Sequence, residues 1–409
     1  MGKYRVLLVH KFFHVTGGAE VFFFETARVL RERGHEVAFF STSDVRNKPS
    51  DYSHYFVNAP NYKSGGLINK IAAIGKIVYS FEAKTKLKQL IEDFNPDIVH
   101  VFAMFTHLSP SILEACHEAG VPVVMSCNDY KHICPNYKLY HHGRICEDCR
   151  GGKFYMAIKN RCCQDSVLFS VASCIESYAH YYMNILQRNI RFFLFAGDFM
   201  AKETEKFWGV NTFRQRKLAN PYNSAKYPLF QAYNDYILFV GRFVEEKGGA
   251  SLMRAMTRCP EVKLIMVGDG PQSEFLHSMA REFALANVDF VGPKWGHDLD
   301  LLLQKARFVV VPSVWHENFP YVIFHAFSFG KPVVGADRGG ITELVAHGQR
   351  GLIYPALDEH SLAQSINMLW NDPERCVQMG RCAKEFIDNE YTDEKFYFNL
   401  TNIYEEAMQ

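Results

Sequence analysis

Tyr4-Arg5-Val6-Leu7-Leu8-Val9-His10 is a short, mostly aliphatic run of the kind that forms a buried strand. Thr16-Gly17-Gly18-Ala19-Glu20 follows it, and residues 21–33 then carry apolar side chains at helical spacing. Gly34 ends that helix, and Val37-Ala38-Phe39-Phe40 opens a second strand. A strand, a glycine turn, a helix and another strand in that order make a parallel pair joined by a crossover helix.

The unit repeats outward from this start. Helices are expected over 84–94 and 110–119, and strands over 98–102 and 121–126. Residues 127–170 break the rhythm and are rich in Cys, Tyr and Lys, as an insertion would be. A helix over 173–190 and a strand over 191–196 resume it. Residues 218–224, polar and holding Pro221, suit a linker. A second series then places strands over 236–240, 263–267, 288–291, 308–311 and 332–335. Helices fall between them, over 250–258, 272–286, 299–305 and 321–329, and everything after His360 reads as helix. The chain is therefore expected to hold two α/β domains. The first covers 1–222, with the insertion at about 127–170, and the second covers 223–390.

Composition narrows the function. Apolar residues make up 48% and charged residues 22% of 409, as in ordinary globular proteins. A formal net charge of +1 gives no bulk field for nucleic acid, and none is expected as a partner. The first strand is too short, and too soon followed by Lys11 and His14, to be a signal peptide. No run of about 18 apolar residues suggests a membrane span. The expected location is cytoplasmic, where thiols stay reduced.

Three motifs carry chemistry. At Gly17-Gly18, backbone N–H groups and the positive end of a helix meet at one point. That suits either an anion or close helix–sheet packing. In Gly241-Arg242-Phe243-Val244-Glu245-Glu246-Lys247-Gly248, two cations five residues apart follow a strand. They suit a diphosphate whose leaving charge needs stabilising, or else a solvated loop. In the third, Glu317 precedes Asn318-Phe319-Pro320 and a helix. Asn318 is expected to cap that helix, whose first N–H groups would hold phosphate oxygens. A carboxylate would repel a diphosphate, so Glu317 is expected to meet sugar hydroxyls.

The run Pro312-Ser313 … Glu317-Asn318-Phe319-Pro320 … His325-Ala326-Phe327-Ser328-Phe329-Gly330-Lys331-Pro332-Val333-Val334-Gly335 … Gly339-Gly340-Ile341-Thr342-Glu343 resembles the signature of family-4 retaining glycosyltransferases of the GT-B fold. The Gly17-Gly18-Ala19-Glu20 turn, the Gly241–Gly248 turn and Val267-Gly268-Asp269-Gly270-Pro271 match the same family in the right order. The resemblance implies two Rossmann-like domains facing across a cleft, with the last segment, 391–409, crossing back to the N-terminal domain. It implies a nucleotide-sugar donor, no catalytic cofactor, and a glycan or lipid-linked glycan acceptor in cell-surface polysaccharide synthesis. Gly17, Gly18 and Gly268 would lie near the donor, Arg242 and Lys247 would bind its phosphates, and Glu317 would contact its sugar. Backbone around Asn318, Phe319 and Pro320 would lie close by. The acceptor would sit on the N-terminal domain, and Glu317, Arg242, Lys247, Asn128 and Asp129 would be the catalytic residues.

The family pattern is broken twice. Where it places a second Glu, eight residues after the first and usually on the donor ribose, the chain has His325. Imidazole accepts one hydrogen bond and does not chelate two hydroxyls. Where it tends to have His-Asp, the chain has Asn128-Asp129, an amide that cannot titrate. The alternative is therefore a catalytically weak relative that binds a nucleotide sugar or glycan without efficient turnover. A nicotinamide-dependent oxidoreductase fits poorly, because no G-x-G-x-x-G follows the first strand.

Two further features stay open on sequence alone. Cys134, Cys146, Cys149 and Cys162 include a CxxC pair and would suit a structural zinc, or else thiols in a loop. Residues 63–88 hold six lysines and one acid interleaved with aliphatics. They suit a packed helix with a solvated lysine face, or a basic helix lying on an anionic inner leaflet.

Overall fold

In the computed structural model, residues 2–59, 74–224, 227 and 235–409 are described. The chain divides into two compact units. The first comprises Met1–Leu139, Glu147–Pro221 and Asp393–Gln409, and the second Tyr140–Cys146 and Tyr222–Thr392.

The first unit is built on a six-stranded parallel sheet. Its strands are β1 (Arg5–His10), β2 (Glu36–Phe40), β3 (Ile98–Ala103), β4 (Val123–Ser126), β5 (Phe192–Phe195) and β6 (Gln215–Lys217). Their order is β6-β5-β4-β3-β1-β2. Central strands of such a sheet are covered on both faces, which is why they read as unbroken apolar runs. Val6, Leu7, Leu8 and Val9 are all fully buried. The last helix, Asp393–Met408, packs within this unit. Arg28 forks onto Asp393 with two 2.9 Å hydrogen bonds, and the Tyr404 hydroxyl lies 2.8 Å from His100 Nδ1.

The second unit repeats the plan with β7 (Ile237–Val240), β8 (Leu264–Val267), β9 (Val288–Phe290), β10 (Val309–Val311), β11 (Val333–Ala336) and β12 (Gly351–Tyr354). The order is β9-β8-β7-β10-β11-β12, all parallel. The reversal at β7/β10 places the loops after those two strands side by side, where open α/β sheets bind ligands. Both units are thus Rossmann-like, as the resemblance implied.

Several local expectations differ from the structure. The helix over 173–190 is two helices, Val167–Tyr182 and Ile185–Asn189, broken where Asn184 turns left-handed at φ 47°. The first starts inside the stretch read as insertion, with Ser166 Oγ accepting from Phe169 N. The boundary between the two units, Pro221/Tyr222, falls inside the 218–224 stretch as a linker there requires, but Leu218, Asn220 and Ser224 are buried and Ser224 Oγ donates to Asp388 at 2.6 Å.

Of the basic segment over 63–88, residues 63–73 lie outside the described residues. The rest includes helix Phe81–Phe94, which buries Ala83, Leu87, Leu90, Ile91 and Phe94. Its lysines are ion-paired: Lys84 with Glu118 at 2.7 Å, Lys86 with Glu82 at 3.9 Å and Lys88 with Glu118 at 4.0 Å. That is the packed-helix arrangement. Among the described residues, no helix is long and apolar enough to cross a membrane.

Candidate functional site: a buried ion pair beside glycine turns, and a separate cavity

In the second unit, the four loops after β7, β8, β10 and β11 leave the sheet side by side and are stitched by backbone hydrogen bonds. Phe243 N donates to Asp269 O at 2.9 Å, Val314 N to Glu246 O at 3.0 Å, and Gly340 N to Glu317 O at 2.8 Å. Two glycines permit the contact. A Cβ on Gly248, whose φ is 73°, would lie 1.8 Å from the Pro312 carbonyl oxygen. One on Gly339, at φ 57°, would lie 2.1 Å from Glu317 O. No side chain fits at either place.

This stitching brings Lys247 and Glu317 together. Lys247 Nζ is 2.6 Å from Glu317 Oε1, and Ser313 Oγ donates to the same oxygen at 2.7 Å. Glu317 is buried. Burial alone would raise its carboxyl, but the Lys247 charge and the hydrogen bonds from Lys247 and Ser313 outweigh it and hold the group below the usual range. Lys247 also lies 5.6 Å from the centre of the Trp315 ring. Arg242, five residues earlier on the same turn, is exposed and makes no ion pair among the described residues. Gly268 sits on the neighbouring loop, its N–H donating to Gly292 O at 3.1 Å.

The helix Tyr321–Ser328 begins at Pro320, with no side-chain cap. Asn318 is therefore not its N-cap; that position falls to Pro320, in extended backbone two residues further on. Phe319 is buried. His325, on that helix, is not part of the Lys247–Glu317 cluster. Its Nε2 lies 2.7 Å from Asp300 Oδ1 on the helix Gly296–Lys305. Sequence assigns no role to Asp300 and gives Ser313 only as part of the family signature. No local spacing links residues 300 and 325.

The other sequence candidates belong to the first unit. Gly17 is the N-cap of helix Gly18–Glu32. Glu20, buried in its first turn, accepts from Thr16 Oγ1 at 3.0 Å and lies 3.5 Å from His10 Nε2. Asn128 Nδ2 donates to Phe102 O at 3.3 Å, and Asp129 Oδ1 accepts from Lys131 N at 2.9 Å.

Asn128 and Asp129 line a cavity of about 670 Å³ at the C-terminal ends of β1, β3 and β4, together with His10, His107 and Lys131. Lys131 forms a buried ion pair with Glu176, at 2.7 Å. His107 stands between Thr106 and Ser109, both at positive φ (67° and 60°). Such strain collects at functional sites. The Thr106 hydroxyl donates to Phe105 O at 2.6 Å, so it accepts from His107 Nδ1, 2.8 Å away, and the lone pair stays on Nε2. Burial, aided by nearby Lys11 and His10, lowers the His107 pKa to about 4. Its imidazole is therefore neutral near pH 7.

The zinc expectation does not fit. Among the described residues no group of three or more His, Cys, Asp or Glu side chains could hold a metal ion. Cys149 packs with Phe154, Ala157 and Cys174 in an apolar cluster that Cys162 borders. Cys134 Sγ lies 3.1 Å from Asn136 Oδ1.

Two parallel-sheet Rossmann-like domains, one with a carboxylate–lysine cluster at its switch point, define a GT-B architecture. Comparison with known proteins gives the class a family. A family model described as "Glycosyltransferase Family 4" matches residues 16–148, and one described as "Glycosyl transferases group 1" matches residues 226–386. The chain thus carries both glycosyltransferase domains. An "O-antigen chain mannosyltransferase C" of Escherichia coli is 23% identical over 99% of both chains. An "Uncharacterized 42.6 kDa protein in cps region" of Klebsiella pneumoniae is 26% identical over 83% of this chain and 87% of its own. A D-inositol 3-phosphate glycosyltransferase of Corynebacterium aurimucosum is 32% identical over 183 residues, and this chain spans only 43% of its length in that match. Among solved structures, Anabaena HepE in complex with UDP-glucose superposes with a TM-score of 0.69 at 18% identity, over 98% of this chain and 100% of its own.

Proposed function

We propose that the chain is a retaining, nucleotide-sugar-dependent hexosyltransferase that extends a cell-surface glycan or its lipid-linked precursor. The observation that carries this reading is the Lys247–Glu317–Ser313 cluster, with its carboxylate buried, on the same turn as exposed Arg242 where the second sheet reverses order. Arg242 and Lys247 would hold the donor diphosphate and stabilise the charge it gains as the sugar leaves. Glu317 would accept hydrogen bonds from the sugar. Its link to Lys247 ties the sugar's position to that of the phosphates. Asp300 and His325 would face the nucleoside. UDP complexes of HepE and the names of the E. coli and Klebsiella relatives support a nucleotide sugar and a polysaccharide product.

The cavity in the first unit would take the acceptor. Neutral His107 would accept the hydrogen bond of the attacking hydroxyl through Nε2. Asn128 and Asp129 would grip neighbouring hydroxyls. In a front-face transfer the departing phosphate oxygen receives the hydroxyl proton. His107 would then orient the hydroxyl and need not keep that proton.

The test is donor turnover. The protein, incubated with a panel of nucleotide sugars, should release nucleoside diphosphate slowly alone and faster with crude lipid-linked glycans. The anomeric proton of the product, followed by NMR from first appearance, should keep the donor's configuration. A second reading, binding without efficient turnover, is favoured by His325 being held by Asp300. Tight nucleoside diphosphate binding without any release from any donor would select it.

A further inference from the structure

A short hairpin carries part of the cysteine-rich insertion onto the second unit. The chain up to Leu139 and from Glu147 to Pro221 belongs to the first unit, whereas Tyr140–Cys146 belongs to the second. Its arms are Tyr140-His141 and Arg144-Ile145, paired antiparallel. His142 and Gly143 join them at φ 44° and 77°, the two positive values that a two-residue hairpin turn of type I′ requires. Tyr140 is buried, and a buried tyrosine hydroxyl needs a partner. It donates to Glu245 Oε1 at 3.1 Å. The tip of the hairpin closes on the same oxygen, since a Cβ on Gly143 would lie 3.7 Å from it. Burial first, and then the Glu245 charge, holds the phenol well above its usual range, so it stays a donor.

Glu245 belongs to the turn that carries Arg242 and Lys247. The turn is tight: Val244 N donates to Arg242 O at 3.0 Å, and a single helical turn, Glu245–Lys247, follows at once. Arg242 and Glu245 are both exposed, and their long side chains start three residues apart. Opposite charges within such reach attract, yet Arg242 makes no ion pair among the described residues. Neighbouring cations do not explain this by claiming Glu245. Lys247 is taken by Glu317, and Arg338, on the loop after β11, pairs with Asp337 at 3.0 Å. The partner that Glu245 has is the Tyr140 hydroxyl, which is neutral and neutralises no cation.

We infer that Tyr140 is a positioning residue of the donor site: by holding Glu245 against the hairpin it keeps that carboxylate off Arg242 and leaves the guanidinium open to a diphosphate. The inference rests on the proposed role of Arg242 toward the donor. Without the hydroxyl, Glu245 would fold back onto Arg242. An incoming diphosphate would then have to break that pair and displace a competing anion.

The test has one readout without ligand and one with it. Phenylglyoxal labels unpaired guanidinium groups in the intact protein, and the peptide holding Arg242 is followed by mass spectrometry. Tyr140→Phe should slow labelling of Arg242 about three- to fivefold, the worth of an exposed ion pair. Tyr140→Phe with Glu245→Gln should label at the wild-type rate. In calorimetry with uridine, guanosine, adenosine and thymidine diphosphates, Tyr140→Phe should weaken the one that binds best by a similar factor. Glu245→Gln in the same chain should restore the affinity, and in an Arg242→Ala chain Tyr140→Phe should cause no further loss. A hairpin that only braces the fold would give a loss that Glu245→Gln does not restore and that persists without Arg242. That pattern would overturn the proposal, and so would wild-type labelling of Arg242 in Tyr140→Phe. If wild type bound none of the four nucleotides, the donor reading would fall instead, and the labelling would still show whether Tyr140 holds Glu245 off Arg242.

Discussion

Lys247 and Glu317, 70 residues apart in the chain, form one 2.6 Å ion pair, and the carboxylate is the buried partner. The pair carries no net charge, so of the two cations the sequence offered for a diphosphate only Arg242 stands exposed without an ion-pair partner among the described residues. The two substitutions must therefore behave differently. Lys247→Ala strands a buried carboxylate and should cost about 2–3 kcal/mol of unfolding free energy in urea, below the range for a fully buried pair because Lys247 is partly exposed. Lys247→Met with Glu317→Gln should recover most of that loss. If Lys247→Ala unfolds at the wild-type urea concentration, the pair has no structural role.

Arg242→Ala removes an exposed side chain and should leave stability within about 0.5 kcal/mol. Affinity for a nucleoside diphosphate should fall about 10- to 100-fold by calorimetry, the worth of a charge-assisted contact. Unchanged affinity would remove Arg242 from the donor site.

Gly248→Ala tests the stitching. A methyl at φ 73° pressed on the Pro312 carbonyl must push the two loops apart, costing about 2 kcal/mol or more. Because those loops position Lys247 and Glu317, donor affinity should fall too, although residue 248 has no side chain of its own. A variant as stable and as tight as wild type would mean the loops are pliant.

The parts of this arrangement legible in sequence are those written in consecutive residues. Leu264-Ile265-Met266-Val267 and Val309-Val310-Val311 announce strands covered on both faces, and the order of strand, turn and helix fixes parallel pairing. The edge strand Gln215-Arg216-Lys217 is not legible because it is short and all polar: its backbone joins β5, while its side chains pair at the surface with Glu205, Glu406 and Asp198. Glu317 stood out within its motif, but its pairing with Lys247 depends on two loops meeting in space. The Val167–Tyr182 helix shows the limit of periodicity most clearly. The spacing of its apolar residues marks a face without saying whether that face turns inward.

Acid should destabilise the first unit through histidines held neutral. Burial lowers His10, His100 and His132 to about 3 and His107 to about 4. In the unfolded chain each regains a value near 6.5. Between pH 6.5 and about 4 the unfolded state binds more protons, so stability is fully present above 6.5 and is lost as pH falls. Each such histidine contributes up to about 1.4 kcal/mol per pH unit. Unfolding free energy measured from pH 7 to 5 should decline accordingly, and His132→Gln should flatten the slope by one histidine's share. A slope unchanged in that variant would mean His132 is protonated in the folded chain.

His325 offers the sharpest test of donor geometry. Restoring the carboxylate that the family pattern places there looks favourable on sequence alone. In the structure His325 Nε2 lies 2.7 Å from Asp300, so His325→Glu sets two carboxylates against each other. Both are partly exposed, and the penalty should be about 1 kcal/mol, a fivefold loss of nucleoside diphosphate affinity. Asp300→Asn in the same chain removes the repulsion and lets the amide donate to the new carboxylate. The double variant should then bind at least as tightly as wild type. A single variant that binds more tightly than the double would show that position 325 works apart from Asp300, and the nucleoside assignment of the pair would fall.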